Sequence, residues 1–267
     1  MKVVVLGAAG FIGNLFTREL LTYGYEVIPI TRKDLDITKF EEVKQFLHTT
    51  NPYAVVNCTI PNGRSKIDNL DQSDVDNHLS IFLNFYNLSE YFEKFITIGS
   101  GAEFDRSHDI TGANELDILQ VMPSDTYGRL KNLISRISME HDKFYTLRVF
   151  GCFDSSESSD RLFSKLFTQL SIEIDDREFD FISVRDLCTV LRYYLNNTVV
   201  NRDVNCVYSV KKQISEIINE FVCYYKLPIQ VNIRSTNNLN YSGNSSRLDL
   251  LKLPLDNLTK SIENYKK

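Results

Sequence analysis

No stretch of this chain approaches the roughly 18 consecutive apolar residues that a membrane span requires. Only four apolar residues stand between Lys2 and Gly7, too few for the core of a signal peptide. A soluble, cytoplasmic protein is expected. Cysteine is scarce: Cys58, Cys152, Cys188, Cys206 and Cys223 are scattered, odd in number and form no C-x-x-C pair. That pattern argues against a disulfide framework and a zinc site, so reduced thiols and no metal are expected. Positive charge is in deficit, 30 Lys+Arg against 35 Asp+Glu for a net charge of −5. Nucleic acid and anionic membrane surfaces are therefore poor partners, and a phosphorylated ligand would need a local cluster of donors and cations. Repeats and low-complexity segments are absent. What remains is 267 residues, 43% hydrophobic and 24% charged, enough for one large domain or a domain with a smaller lobe.

Apolar periodicity places strands at 2–6, 26–31, 53–58, 95–99 and 144–150, and helices at 11–23, near 40–47, within a long stretch ending near 92, and at 125–140. Strands alternating with helices predict a parallel sheet covered on both faces, an α/β, Rossmann-like, doubly wound fold. Residues 1–150 form the expected dinucleotide-binding domain. Residues 151–267 form a smaller substrate lobe, with about 182–210 returning to the Rossmann core. In this second part helices are expected at 161–170, 182–196, 212–226 and 257–265, with a strand at 204–210. Pro29 sits awkwardly inside the second strand, since a residue without an N–H belongs at a bulge or an edge.

The strongest motif is Gly7-Ala8-Ala9-Gly10-Phe11-Ile12-Gly13, between the first strand and the first helix. Gly7 permits the tight turn, Gly10 lets backbone approach a pyrophosphate, and Gly13 lets the helix pack on the sheet. Free N–H groups at the helix start, around Phe11 and Ile12, then face the phosphate charge. Dinucleotide binding is the expectation. An NAD site usually ends the second strand with an acid for the ribose 2′-hydroxyl. Here that strand ends Ile30-Thr31-Arg32-Lys33, and Arg32 offers a planar cation suited to a 2′-phosphate. NADP(H) is favoured and NAD(H) stays open, with Asp34 or Asp36 as its acidic partner. Cys58, closing the third strand, is placed in the cofactor set.

Tyr127-Gly128-Arg129-Leu130-Lys131 puts a phenol and an ammonium four residues apart on one helix face. A free tyrosine has a pKa of about 10, so a nearby cation is needed for proton exchange near neutrality. Lys131 is the candidate and also reaches toward the nicotinamide ribose. Ser100, ending the strand before it, can hydrogen-bond a reacting carbonyl oxygen. Tyr208 and Lys212 repeat the spacing but straddle a predicted strand end. Ser107-His108-Asp109 are consecutive on one loop, unlike a spatial triad. The acidic stretch at 68–76 lacks the glycine and distal glutamate of a calcium loop. His48, His78 and His141 have no partner pattern and are expected to serve packing or the surface.

Together these residues resemble the extended short-chain dehydrogenase/reductases, the NAD-dependent epimerase/dehydratases of sugar nucleotides. Gly7, Gly10 and Gly13 match its G-x-x-G-x-x-G, and Pro123 with Tyr127 and Lys131 its Pro-x-x-x-Tyr-x-x-x-Lys. Leu147-Arg148-Val149-Phe150 and Asp180-Phe181-Ile182-Ser183-Val184-Arg185-Asp186 look like its later stretches, and Asp36-Ile37 like its adenine contact. The resemblance implies Ser100, Tyr127 and Lys131 as catalytic residues, and a homodimer formed through helices at about 75–92 and 125–140. Where the family often carries a diphosphate-binding arginine this chain has Phe179, leaving Arg177 or Arg234, beside Ser100 and Gly101, as substrate contacts. After its serine the family's dehydratases carry Asp-Glu, and its fucose-synthase-like epimerases a cysteine second. Here the pair is Gly101-Ala102. The implied activity is reduction of a keto group, at C4, of a nucleotide-activated deoxysugar. The alternatives are a nucleotide-sugar 4-epimerase with retained NAD, and a non-catalytic NAD(P)-binding protein.

Overall fold

A computed structural model describes residues 1–61, 69–235 and 238–265. The first half runs β1 (Lys2–Leu6), α1 (Phe11–Thr22), β2 (Glu26–Ile30), α2 (Phe40–Thr50), β3 (Ala54–Asn57), α3 (Gln72–Asn87), β4 (Lys94–Ser100) and β5 (Ile110–Ala113). Next come α4 (Thr126–Met139), β6 (Phe144–Val149), β7 (Cys152–Phe153), α5 (Leu162–Thr168), β8 (Ser171–Asp175) and β9 (Ile182–Ser183). The chain closes with α6 (Val184–Asn196), β10 (Asp203–Asn205), α7 (Ile214–Tyr225), β11 (Gln230–Ser235), β12 (Tyr241–Gly243), α8 (Ser246–Leu250) and α9 (Leu258–Glu263).

The main sheet has six strands in the order β10-β6-β4-β3-β1-β2, and every pairing in it is parallel. Parallel strands need both faces covered, and alternate residues of each strand show this. Val3, Val5, Ile96 and Leu147 join α1 and α6 through Phe16, Leu20, Leu187 and Leu191. Their neighbours Val4, Leu6, Phe95 and Phe144 pack instead against Val43 of α2, Phe82 and Phe85 of α3, and Leu130 of α4. This is the doubly wound α/β fold. The chain leaves β1 for β2 on one side and returns to β3 on the other, so the crevice between β1 and β3 is the switch point where such sheets bind ligands.

Pro29 fits because β2 is the outer strand, pairing with β1 alone, where it stands opposite Val5. The strand expected at 204–210 is shorter. Val207 N–H turns back to the Asn205 carbonyl at 3.1 Å, ending the ladder. The helix expected from 182 begins at Val184, capped by Ser183, whose hydroxyl accepts the Asp186 N–H at 3.1 Å. Among the described residues three small parallel pairs, β11 with β8, β12 with β5 and β7 with β9, stand outside the main sheet. Among the described residues no helix is long and apolar enough to cross a membrane.

Candidate active site

The glycine turn leaves β1 with Gly7 at φ +73°, a conformation that glycine adopts without a Cβ clash. Gly7 and Ala8 N–H groups both donate to the Ile30 carbonyl, at 3.0 and 3.1 Å. A side chain at Gly7 would meet the Cys58 carbonyl at 3.1 Å, and one at Gly13 would run into the Gly7 carbonyl. The turn, the end of β2 and Cys58 are thereby held together at the switch point. Gly10 caps α1 with no side-chain hydrogen bond, and the first turn carries no acid. The N–H groups of Phe11, Ile12 and Gly13 therefore lack intrahelical partners and suit a pyrophosphate. Arg161 stacks over the Phe11 ring at 4.5 Å, placing beside this turn a cation that no local motif announces.

Thr31 donates both its N–H and its hydroxyl to Asp34, at 2.8 and 2.6 Å. Thr38 does the same to Asp36, at 3.1 and 2.6 Å, and Lys39 lies 3.7 Å from that carboxylate. Both acids are engaged within their own turns, and these bonds hold their carboxyls below the usual range. Arg32 and Lys33, between Thr31 and Asp34, are exposed. The Ile37 carbonyl accepts from the Asn84 amide at 3.0 Å, fixing the segment that would face adenine.

Ser100 ends β4, and Tyr127 is the second residue of α4. The helix is aimed by Asp125, which accepts the Gly128 N–H at 2.7 Å and is gripped by Arg106 at 2.9 and 3.3 Å. Burial pushes the Tyr127 phenol up to about 12, opposed by its hydrogen bond with Ser100 and the Arg106 charge. The expectation that Lys131 would draw the phenol toward neutrality is not met in this arrangement. Lys131 is buried, and its Nζ donates to the Ile98 carbonyl at 3.1 Å. Burial lowers its pKa, while Glu103 and Cys58 raise it. Burial also pushes the Cys58 thiol up to about 12, away from the thiolate form. Burial and the Lys131 charge hold His78, on α3, well below its usual range. His78 thus lies near Lys131, a placement its sequence context did not reveal.

The segment after Ser100 is a short 3-10 turn, Gly101–Glu103. Glu103 is fully buried between the Ser100 N–H at 2.8 Å and Arg148 Nε at 2.6 Å. Arg148, also fully buried, donates on to Asn205 at 3.1 Å. The carboxylate nearest Ser100 in sequence is therefore a strut under the serine. Space beside Gly101 is filled as well. A Cβ there would meet the Phe150 ring at 2.5 Å and the Tyr241 hydroxyl at 2.7 Å.

Residues 3–206 match the model of the NAD-dependent epimerase/dehydratase family. The chain belongs to that family. No curated protein matches it in sequence. Among solved structures it resembles a dTDP-4-dehydrorhamnose reductase from Clostridium acetobutylicum, with 18% identity, a TM-score of 0.83, and 99% and 98% of the two chains covered. A GDP-mannoheptose C4 reductase from Campylobacter jejuni, solved with NADP bound, gives 17%, 0.82, 98% and 96%. A dTDP-glucose 4,6-dehydratase from Bacillus anthracis, in complex with NAD, gives 14%, 0.80, 99% and 95%. At these identities the likeness shows the fold.

Against the family's pattern, the remaining candidates separate. Phe179, in place of the family's arginine, packs on Tyr241 with ring centroids 5.0 Å apart. Arg177 stacks over Phe179 at 5.2 Å, and its buried Nε has no hydrogen-bond partner. Arg234 lies on exposed β11 in a two-pronged pair with Asp175. The second Tyr-x-x-x-Lys does not assemble: Tyr208 donates to Asp186 at 2.5 Å and Lys212 pairs with Glu220. His108 meets Asp105 at 3.0 Å, while Asp109 binds Thr111 instead. Asp71 and Asp74 form the capping box of α3, and Asp68 lies outside the described residues. Sequence reading missed Tyr241, which arrives from β12 across the chain from Ser100 and belongs to no motif.

Proposed function

We propose that this chain is an NADP(H)-dependent reductase of the keto group, at C4, of a nucleotide-activated deoxysugar. The observation that carries it is the filled space beside Gly101. Where family members that move ring-carbon protons carry an acid, base or thiol, this chain has Gly101 and Ala102, and the space beside Gly101 is taken by Phe150 and Tyr241. Burial raises the Tyr241 phenol above its ordinary range, which disfavours it as a base. Three carboxylates of the second region are engaged elsewhere: Asp175 by Arg234, Asp176 by Ser215 at 2.7 Å, and Glu178 by Ser242 at 2.5 Å.

When bound, a nicotinamide would supply the hydride. Ser100 holds the carbonyl oxygen by a hydrogen bond, and Tyr127 delivers the proton to it. Gly7, Gly10, Phe11, Ile12 and Gly13 would hold the pyrophosphate, Asp36, Ile37 and Cys58 would line the remaining cofactor contacts, and Lys131 the ribose. Arg32, with Asp34 and Asp36 already engaged, suits the extra phosphate of NADP. The NADP bound by the Campylobacter jejuni reductase supports that choice. Residues 151–267 act as the substrate lobe in this reading. Arg177, with its unpartnered Nε, is a better diphosphate ligand than the paired Arg234.

The test is turnover of a nucleotide 4-keto-6-deoxysugar with NADPH in D₂O. Stoichiometric NADPH oxidation with unlabelled ring carbons is expected. Deuterium at C3 or C5, beyond that acquired by substrate alone, would overturn simple reduction. NAD retained through purification would point to a 4-epimerase.

A further inference from the structure

We propose that Phe179 is a positioning residue: it stacks on Arg177 and holds that guanidinium as this chain's cation for the substrate's diphosphate. The inference deepens the reductase reading and rests on its nucleotide-activated substrate. Residues 177–181 run between two neighbouring segments. The Phe179 N–H donates to the Lys212 carbonyl at 3.3 Å, and the Tyr241 N–H donates to the Glu178 carbonyl at 2.9 Å. In such an extended stretch alternate side chains share a face. Glu178 turns one way, to Ser242 at 2.5 Å, as does Asp180, to Lys211 at 2.6 Å. Arg177, Phe179 and Phe181 turn the other way and form a ladder. The guanidinium lies 5.2 Å from the Phe179 ring, whose centroid is 4.5 Å from that of Phe181. Tyr241, paired beside Phe179, joins them with its ring 5.0 Å away. The hydroxyl of that tyrosine reaches the space beside Gly101, next to Ser100. Arg177 is therefore on the face that carries the reacting site.

The edge of the guanidinium is what a phosphate needs. A cation stacked on a ring uses its face and keeps its in-plane N–H donors for phosphate oxygens. Arg177 Nε is buried with no hydrogen-bond partner, a costly state that a bound phosphate would relieve. Neighbouring acids are taken, Asp175 by Arg234 and Asp176 by Ser215. Gly151 lets the ladder close up. A Cβ there would stand 2.7 Å from the Phe181 ring and 2.8 Å from that of Phe179. A long, flexible side chain is thus ordered before the ligand arrives, which lowers the entropy cost of binding. The family's arginine at 179 is in this way replaced by a ring at 179 and a cation at 177.

The probes are dTDP and GDP, titrated calorimetrically into the full chain with excess NADPH, which keeps them from the dinucleotide site. Arg177→Met should weaken both about 10- to 100-fold, the scale of one charge-assisted hydrogen bond. Phe179→Leu stays apolar but loses the ring, and should weaken both about 3- to 30-fold, the scale of a partly desolvated cation–π contact. Phe179→Tyr keeps the ring and should bind like the parent. If Phe179 acts through Arg177, the double variant Arg177→Met/Phe179→Leu binds no more weakly than Arg177→Met alone. A merely structural role would make the two losses add. Unchanged affinity in Arg177→Met, additive losses, or a Phe179→Tyr protein as weak as Phe179→Leu would overturn the inference while the nucleotide reading stands. A parent that binds neither nucleotide at millimolar concentration would overturn both.

Discussion

Glu103→Gln should be among the most damaging single-atom changes in this protein. Glu103 and Arg148 have no exposed side-chain surface and meet at 2.6 Å. The other carboxylate oxygen accepts the Ser100 N–H at 2.8 Å. A glutamine has one acceptor oxygen and one donor amide. If the oxygen turns to Ser100, the amide confronts Arg148, donor against donor; if it turns to Arg148, the amide confronts the Ser100 N–H. One buried bond is lost either way, about 1–3 kcal/mol. The guanidinium also loses its nearest counter-charge, since Asp203 is 3.8 Å away. Breaking a buried pair from one side costs about 3–5 kcal/mol in total, a large share of an ordinary stability of about 5–15 kcal/mol. In urea unfolding followed by circular dichroism, an m-value of about 3 kcal/mol per molar makes this a midpoint shift of about 1 M or more. Adding Arg148→Met should recover much of the loss, because the uncompensated cation is then gone. A Glu103→Gln protein within about 1 kcal/mol of parent would refute the strut, that being the scale of an exposed pair.

Tyr127→Phe should lower turnover by about 10² to 10⁴ while leaving cofactor binding near parent, as titrated by NADPH fluorescence. A phenol raised to about 12 stays protonated below its free value of about 10 and loses its proton only as pH rises through about 12. The stability tied to this proton follows the same course, present below pH ~10 and lost above. The kcat/KM profile should therefore show no alkaline loss between about pH 7 and 10, and a limb near neutrality that vanishes in Tyr127→Phe would contradict this. Arg32→Glu should reverse a preference for NADPH over NADH; equal affinities in the parent, unmoved by the substitution, would remove Arg32 from the cofactor site. We also propose a homodimer through α3 and α4, where Phe82 and Phe85 serve the core but Leu83 and Leu133 are exposed. A monomer mass in light scattering at micromolar concentration would exclude it.

Local signals in the chain were enough for the central sheet. A strand buried on both faces is a continuous apolar run, a covering helix has its own period, and a glycine turn must join β1 to α1. Lys2–Leu6, Ala54–Asn57 and Phe144–Val149 could be read for that reason. The small pairs β8 with β11 and β5 with β12 were missed, although Ser171–Asp175 alternates, because short strands acquire meaning only from a partner about 60 or 130 residues away in the chain. The candidate site divides along the same line. Ser100, Tyr127 and Lys131 follow from strand end and helix spacing, which are local. That burial would raise the Tyr127 phenol, that Glu103 would be a strut on Arg148, and that Tyr241 would fill the space beside Gly101 depend on which distant segments exclude water there. Solvation and close approach are properties of the packed chain, so those assignments belonged to the tertiary structure alone.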